Sequence, residues 1–177
     1  MGENRKVHFV KEEQHVKLRA IFVSVATAGL MVGPAFAHGI LNTVVNAGPS
    51  CTITGTAADD SLTGTTRDDV ICSKAGSDDV SGEEGNDIIR LGQGDDSGSG
   101  DDGSDIVKGQ ADDDSVSGDD QNDKVYGGQG DDSVDGDNGN DFVKTRDNVS
   151  GNDTANGGNN TDTCRVDAGD TVISCEL

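Results

Sequence analysis

Tryptophan is absent from this 177-residue chain, and one tyrosine and four phenylalanines are its only aromatic residues. Basic–aromatic patches of the kind that bind nucleic acid are therefore missing from the sequence. Histidine is nearly as scarce. Of three, only His38 lies beyond residue 37, so a hydrolase triad lacks its base. Positive charge is thin as well, with 13 Lys and Arg against 34 Asp and Glu, a net charge of −21. Such a chain repels nucleic acid and anionic membrane surfaces and draws cations. Low hydrophobicity and high charge place it near the disordered class unless a metal tips the balance. Long apolar runs are limited to one, Ala20 to Val32.

What the chain has is a ruler of aspartates. Asp60, Asp69, Asp78, Asp87, Asp96, Asp105, Asp114, Asp123, Asp132 and Asp141 stand nine residues apart without a slip. Two positions after each comes an aliphatic residue, from Leu62 and Ile71 through to Val143, with Gly98 the one exception. Glycine recurs five and two positions before the Asp, as at Gly82 and Gly85 or Gly127 and Gly130. A fixed short period marks a repeat architecture. Its unit is G-x-x-G-x-D-x-U-x with U aliphatic, and GGQGDDSVD at 127–135 is the cleanest copy.

This unit resembles the calcium-binding nonapeptide of RTX, or haemolysin-type, proteins. The resemblance covers residues 55–165. It implies an all-β fold, a parallel β-roll (β-solenoid) in which two units make one coil, with six residues of turn and three of strand per unit. It also implies Ca2+ as the cofactor and partner, held between turns one coil apart. The residues agree. Turn glycines supply backbone that residues with a Cβ resist. One inward aliphatic per three-residue strand fills a narrow core. Calcium takes six to eight oxygens, which carboxylates and turn carbonyls provide. At eighteen residues per coil, Asp60, Asp78, Asp96, Asp114 and Asp132 line one side, and Asp69, Asp87, Asp105, Asp123 and Asp141 the other.

Units differ in how well they match. Ala58, Arg67, Asp112 and Gln121 replace the fourth-position glycine, so the turns of Asp60, Asp69, Asp114 and Asp123 are expected to be the poorer ones. Gly98 leaves the core one side chain short. After Lys144 the ruler breaks at a three-residue insertion, Thr145-Arg146-Asp147, and resumes with Asp153 and Asp162. Ala155 and Cys164 take the inward position there, the kind of departure terminal repeats show. About six coils follow from this count.

Residues 1–37 read as a signal peptide: a basic start, the apolar run, then Gly33-Pro34 and the small-residue site Ala35-Phe36-Ala37. An uncleaved membrane anchor is the alternative, but the run is short for a span. Removing it takes five basic and three acidic residues, leaving 8 against 31 and a net charge of −23. Residues 38–54 form an N-terminal leader and cap, with a plain flexible leader as the other reading, and 166–177 form a C-terminal cap that ends in a closing strand.

Four cysteines remain, and an even count in a small exported chain points to disulfides. Cys51 and Cys72 bracket the first coil and Cys164 and Cys175 the last, so the positions favour two end staples, Cys51–Cys72 and Cys164–Cys175. A zinc site is the competing use, without a C-x-x-C to support it. Asp135 to Gly139 mimics an EF-hand start, but its twelfth position is Arg146. The expectation is a secreted or extracellular calcium-binding protein, possible at the cell surface, with no catalytic site. Its cell-envelope or extracellular partner is unknown. A surface scaffold and a disordered acidic cation buffer are the other two readings.

Overall fold

The computed structural model describes residues 48–149 and 152–176. The expected signal peptide and residues 38–47 of the leader lie outside the described residues. Among these described residues fourteen strands follow in chain order. They begin with β1 (Ile53–Thr54), β2 (Ser61–Thr65), β3 (Val70–Ala75), β4 (Asp79–Glu83), β5 (Ile88–Gln93), β6 (Ser97–Ser99) and β7 (Ile106–Ala111). The second half holds β8 (Ser115–Ser117), β9 (Lys124–Gln129), β10 (Ser133–Asp135), β11 (Phe142–Lys144), β12 (Thr154–Asn156), β13 (Thr163–Arg165) and β14 (Thr171–Ile173).

Odd strands build one seven-stranded sheet in the order β1-β3-β5-β7-β9-β11-β13, and even strands build the other. Every pairing is parallel, and each strand pairs with the one a coil away, as Ile89 does with Val107 and Val80 with Gly98. This is the expected β-solenoid. It has seven turns rather than about six, because both predicted caps join the ladders: β1 pairs with β3, and β14 with β12. The insertion after Lys144 is absorbed in the turn. Val134 pairs with Ala155 and Val143 with Cys164 in unbroken register. Arg146 leaves the turn and ion-pairs with Asp167 at 3.3 Å.

Alternation along each short strand puts one aliphatic inside. Ile71, Val80, Ile89, Val107, Val116, Val125, Val134 and Val143 are buried between the sheets. Gly98 leaves no gap, because Leu91 turns inward beside it. A Cβ on Gly98 would lie 2.8 Å from Leu91 Cδ1. Leu91 occupies a turn position where most other units carry glycine, so one departure from the repeat compensates the other.

Strands β3, β5, β7 and β9 run six residues instead of the expected three. Turn residues pair from coil to coil as well, Lys74 with Gly92 and Gln110 with Gly128. At that second position the backbone is left-handed in every unit from Lys74 (φ 93°) to Asp137 (φ 67°). Neighbouring coils force this shape on side chains that resist it. Disulfides Cys51–Cys72 and Cys164–Cys175 close the two ends, with Cα atoms 5.9 and 5.7 Å apart.

Candidate metal centre

Each ruler aspartate ends a turn just before a strand, so its side chain is carried to the edge of the core. Ten are at most 3% exposed: Asp78, Asp87, Asp96, Asp105, Asp114, Asp123, Asp132, Asp141, Asp153 and Asp162. One carboxylate oxygen of each is accounted for. The N–H of Asp69 donates to Asp87 Oδ1, that of Asp87 to Asp105 Oδ1, and that of Asp105 to Asp123 Oδ1, all at 2.7 Å. The other side repeats the scheme, Asp60 N–H to Asp78, Asp78 to Asp96 and Asp114 to Asp132. At the insertion the reach lengthens without breaking, Asp132 N–H to Asp153 and Asp141 N–H to Asp162. Every carboxylate thus reaches back one coil toward the N-terminus.

The second oxygen of these ten has no donor. Oδ2 is buried and accepts no hydrogen bond in any of them. A buried carboxylate oxygen left this way carries a desolvation cost that only a cation or a proton removes. Burial raises the pKa of Asp105, Asp132, Asp141 and Asp153 to about 6, of Asp123 to about 7 and of Asp114 to about 8. The accepted backbone hydrogen bond holds the rise back, and carboxylates in adjacent coils add to it. Asp87 and Asp96 are raised by the same causes.

Glycine keeps space open beside the orphaned oxygens. A Cβ on Gly82 would sit 2.6 Å from both Asp87 Oδ2 and the Gly100 carbonyl. On Gly100 it would sit 2.6 Å from Asp105 Oδ2 and 2.7 Å from the Gly118 carbonyl. Carboxylate oxygen and next-coil carbonyl therefore face one another across a cradle that any side chain would fill. Among the described residues no three acidic, histidine or cysteine side chains converge, so a cation here draws on carbonyls for much of its shell. Hard oxygen donors of this kind suit calcium. A family model for the RTX calcium-binding nonapeptide repeat matches residues 54–89, 73–107, 108–143 and 150–173, together more than half the chain. The chain belongs to the RTX calcium-binding nonapeptide repeat family. Repeats of this family bind calcium, so calcium ions are its expected partner. No curated protein and no solved structure matches it.

Within this RTX array the first coil stands apart. Asp60 is partly exposed, and its Oδ2 accepts from the Thr56 N–H at 2.6 Å and hydroxyl at 3.0 Å. Asp69 Oδ2 accepts from the Thr65 N–H at 2.9 Å and hydroxyl at 2.8 Å, and its Oδ1 from Thr52. The Thr65 hydroxyl, ahead of the other donors, holds the Asp69 pKa below the usual range. In both carboxylates Oδ2 already has its donors. Thr56 and Thr65 were missed in the sequence, although threonine at the second position recurs nine apart only here. At the other end Glu176 accepts from the Asp162 N–H at 2.6 Å, standing in for the next coil's aspartate. Its fourteen-residue spacing from Asp162 is off the ruler, and no signal pointed to it.

The turns expected to be poor are not all alike. Asp112 (φ 75°) and Gln121 (φ 85°) adopt the left-handed backbone that Gly94 (φ 110°) has at the same position. Asp114 and Asp123 behind them are as buried as their neighbours.

Proposed function

We propose that this chain is an exported, non-enzymatic protein whose roll folds as calcium binds between its turns. The observation that carries the reading is the row of ten buried Oδ2 atoms without a donor. Asp78, Asp87, Asp96, Asp105, Asp114, Asp123, Asp132, Asp141, Asp153 and Asp162 hold the ions, together with turn carbonyls such as those of Gly100 and Gly118. Calcium supplies two positive charges per ion and accepts six to eight oxygens. Asp60 and Asp69, candidates by spacing, serve instead as anchors already satisfied by Thr56 and Thr65. Without the cation the burial of ten carboxylate oxygens is uncompensated, and a core of one aliphatic per nine residues is too thin to offset it. Metal-binding energy is then folding energy. The A-x-A site and the two disulfides support export to an oxidising compartment.

The test is a calcium titration of protein recovered outside the cell, whose mass should place its first residue at His38. Circular dichroism should show a coil-to-β transition, reversed by chelator. Equal β content with chelator and with calcium would sink calcium-driven folding. Intact residues 20–37 on the recovered protein would sink the export reading.

A further inference from the structure

The two outer faces of the roll differ in chemistry. On the even sheet the outward residues are mostly serine, threonine and asparagine, with no cation among them. On the odd sheet, parallel register stacks Arg90, Lys108, Tyr126, Lys144 and Arg165 in one column. The column beside it holds Ile88, Ile106, Lys124 and Phe142. Five of the eight Lys and Arg beyond residue 47 therefore share one face of a strongly acidic molecule. Chance placement does not favour this, and neither does internal pairing. Among the described residues the one ion pair is Arg146 with Asp167, elsewhere. Lys108 lies 5.6 Å from the Tyr126 ring centre and Arg165 5.3 Å from that of Phe142, which orders these cations without neutralising them.

The strip has a definite shape. It is two side chains wide, and from Arg90 to Arg165 it crosses four strand spacings, about 19 Å at the usual 4.8 Å per step. Acidic grooves lie on the far side of the turns, beside the even strands: Asp95, Asp113 and Asp131 line one of about 520 Å³ together with Ser97, Ser115 and Ser133, and Asp102 and Asp120 line one of about 270 Å³ beside Asp119 and Asp137, whose carboxylates accept from Ser99 and Ser117. A partner broad enough to wrap past the strip, such as duplex DNA, would bring its charge to that acidic side and be repelled. A single extended anionic chain stays within the strip. Its charges meet the cation column, and its less polar faces meet Ile106, Phe142 and Tyr126.

We propose that the outer face of the odd sheet binds a linear anionic polysaccharide, through carboxylate or sulfate groups on Arg90, Lys108, Lys144 and Arg165. The inference goes beyond calcium binding and is read on folded protein, so it stands or falls separately from calcium-driven folding. The experiment measures binding of the folded full chain to hyaluronate, which offers carboxylates, and to dextran sulfate, with neutral dextran as control. Two variants of equal charge change are compared, Lys108→Gln/Lys144→Gln on the face and Arg67→Gln/Lys74→Gln off it, each checked for unchanged β content. Binding to either or both polyanions and not to dextran is expected, weakened at least tenfold by the first pair and under twofold by the second. The polyanion that binds identifies the group recognised. Several results would overturn the proposal: no binding to either, equal loss in both pairs as calcium bridging would give, or tighter binding to duplex DNA or phosphatidylglycerol vesicles.

Discussion

At the scale of single residues, the ruler aspartate is left with or without a donor on Oδ2 according to what stands four positions before it. Behind Thr65, the Asp69 carboxylate is satisfied within its own turn. Behind Glu83, whose backbone is left-handed, Asp87 Oδ2 is left without a donor. Replacing Asp87 with alanine should move the midpoint of calcium-induced folding several-fold upward. Replacing Asp69 should leave it within about twofold, at the same cost in net charge. A purely electrostatic sponge would respond alike to both, so superimposed titration curves would defeat the site assignment. The ruler made the aspartates legible, because nine-residue spacing survives any surface substitution. The threonine caps were not, since Thr56 and Thr65 are only two copies and do not stand out as a period.

At the scale of the coil, the repeat is a register and not a fixed list of residues. Left-handed backbone persists at Lys74, Glu83 and Gln110 where a neighbouring coil pairs with each, Lys74 with Gly92, Glu83 with Thr65, and Gln110 with both Gly92 and Gly128. That explains why fourth-position Asp112 and Gln121 kept the turn intact against expectation. Coil-to-coil pairing is not visible in one unit, so the unit's sequence alone does not tell how its turn is held. Leu91 and Gly98 show the same logic inside the core. Leu91→Ala should cost about 3 kcal/mol by opening a cavity, and Gly98→Val about 2 kcal/mol by overpacking. The double variant should cost at least about 1 kcal/mol less than the two together, because each relieves the other. Chemical denaturation of the calcium-loaded protein measures all three, and simple additivity would reject the compensation.

At the scale of the molecule, two rows of buried carboxylates couple the fold to protons and, in the proposed reading, to calcium as well. Spacing alone could place those rows, and the cysteine positions could place the staples. It could not show which oxygens lack donors, because that depends on backbone N–H groups from the preceding coil. Those orphaned oxygens set the sign of the pH dependence. The folded values of about 6 for Asp105, Asp132, Asp141 and Asp153, about 7 for Asp123 and about 8 for Asp114 lie above the ordinary 3.8. A calcium-free roll therefore holds protons that the unfolded chain has released. The contribution of these carboxylates to its stability is full below about pH 4 and is lost as pH rises through 6 to 8. In the proposed reading, calcium entering a folded roll displaces those protons. Calcium added in weak buffer at pH 6 should release protons in proportion to the calcium-free β signal that persists there, with little release at pH 9, where the carboxylates are already ionised. In calcium-free solution the β signal should be stronger at pH 4 than at pH 8. Proton release that does not change between pH 6 and 9, or a calcium-free roll more stable at pH 8 than at pH 4, would show that these carboxylates are not the groups calcium neutralises.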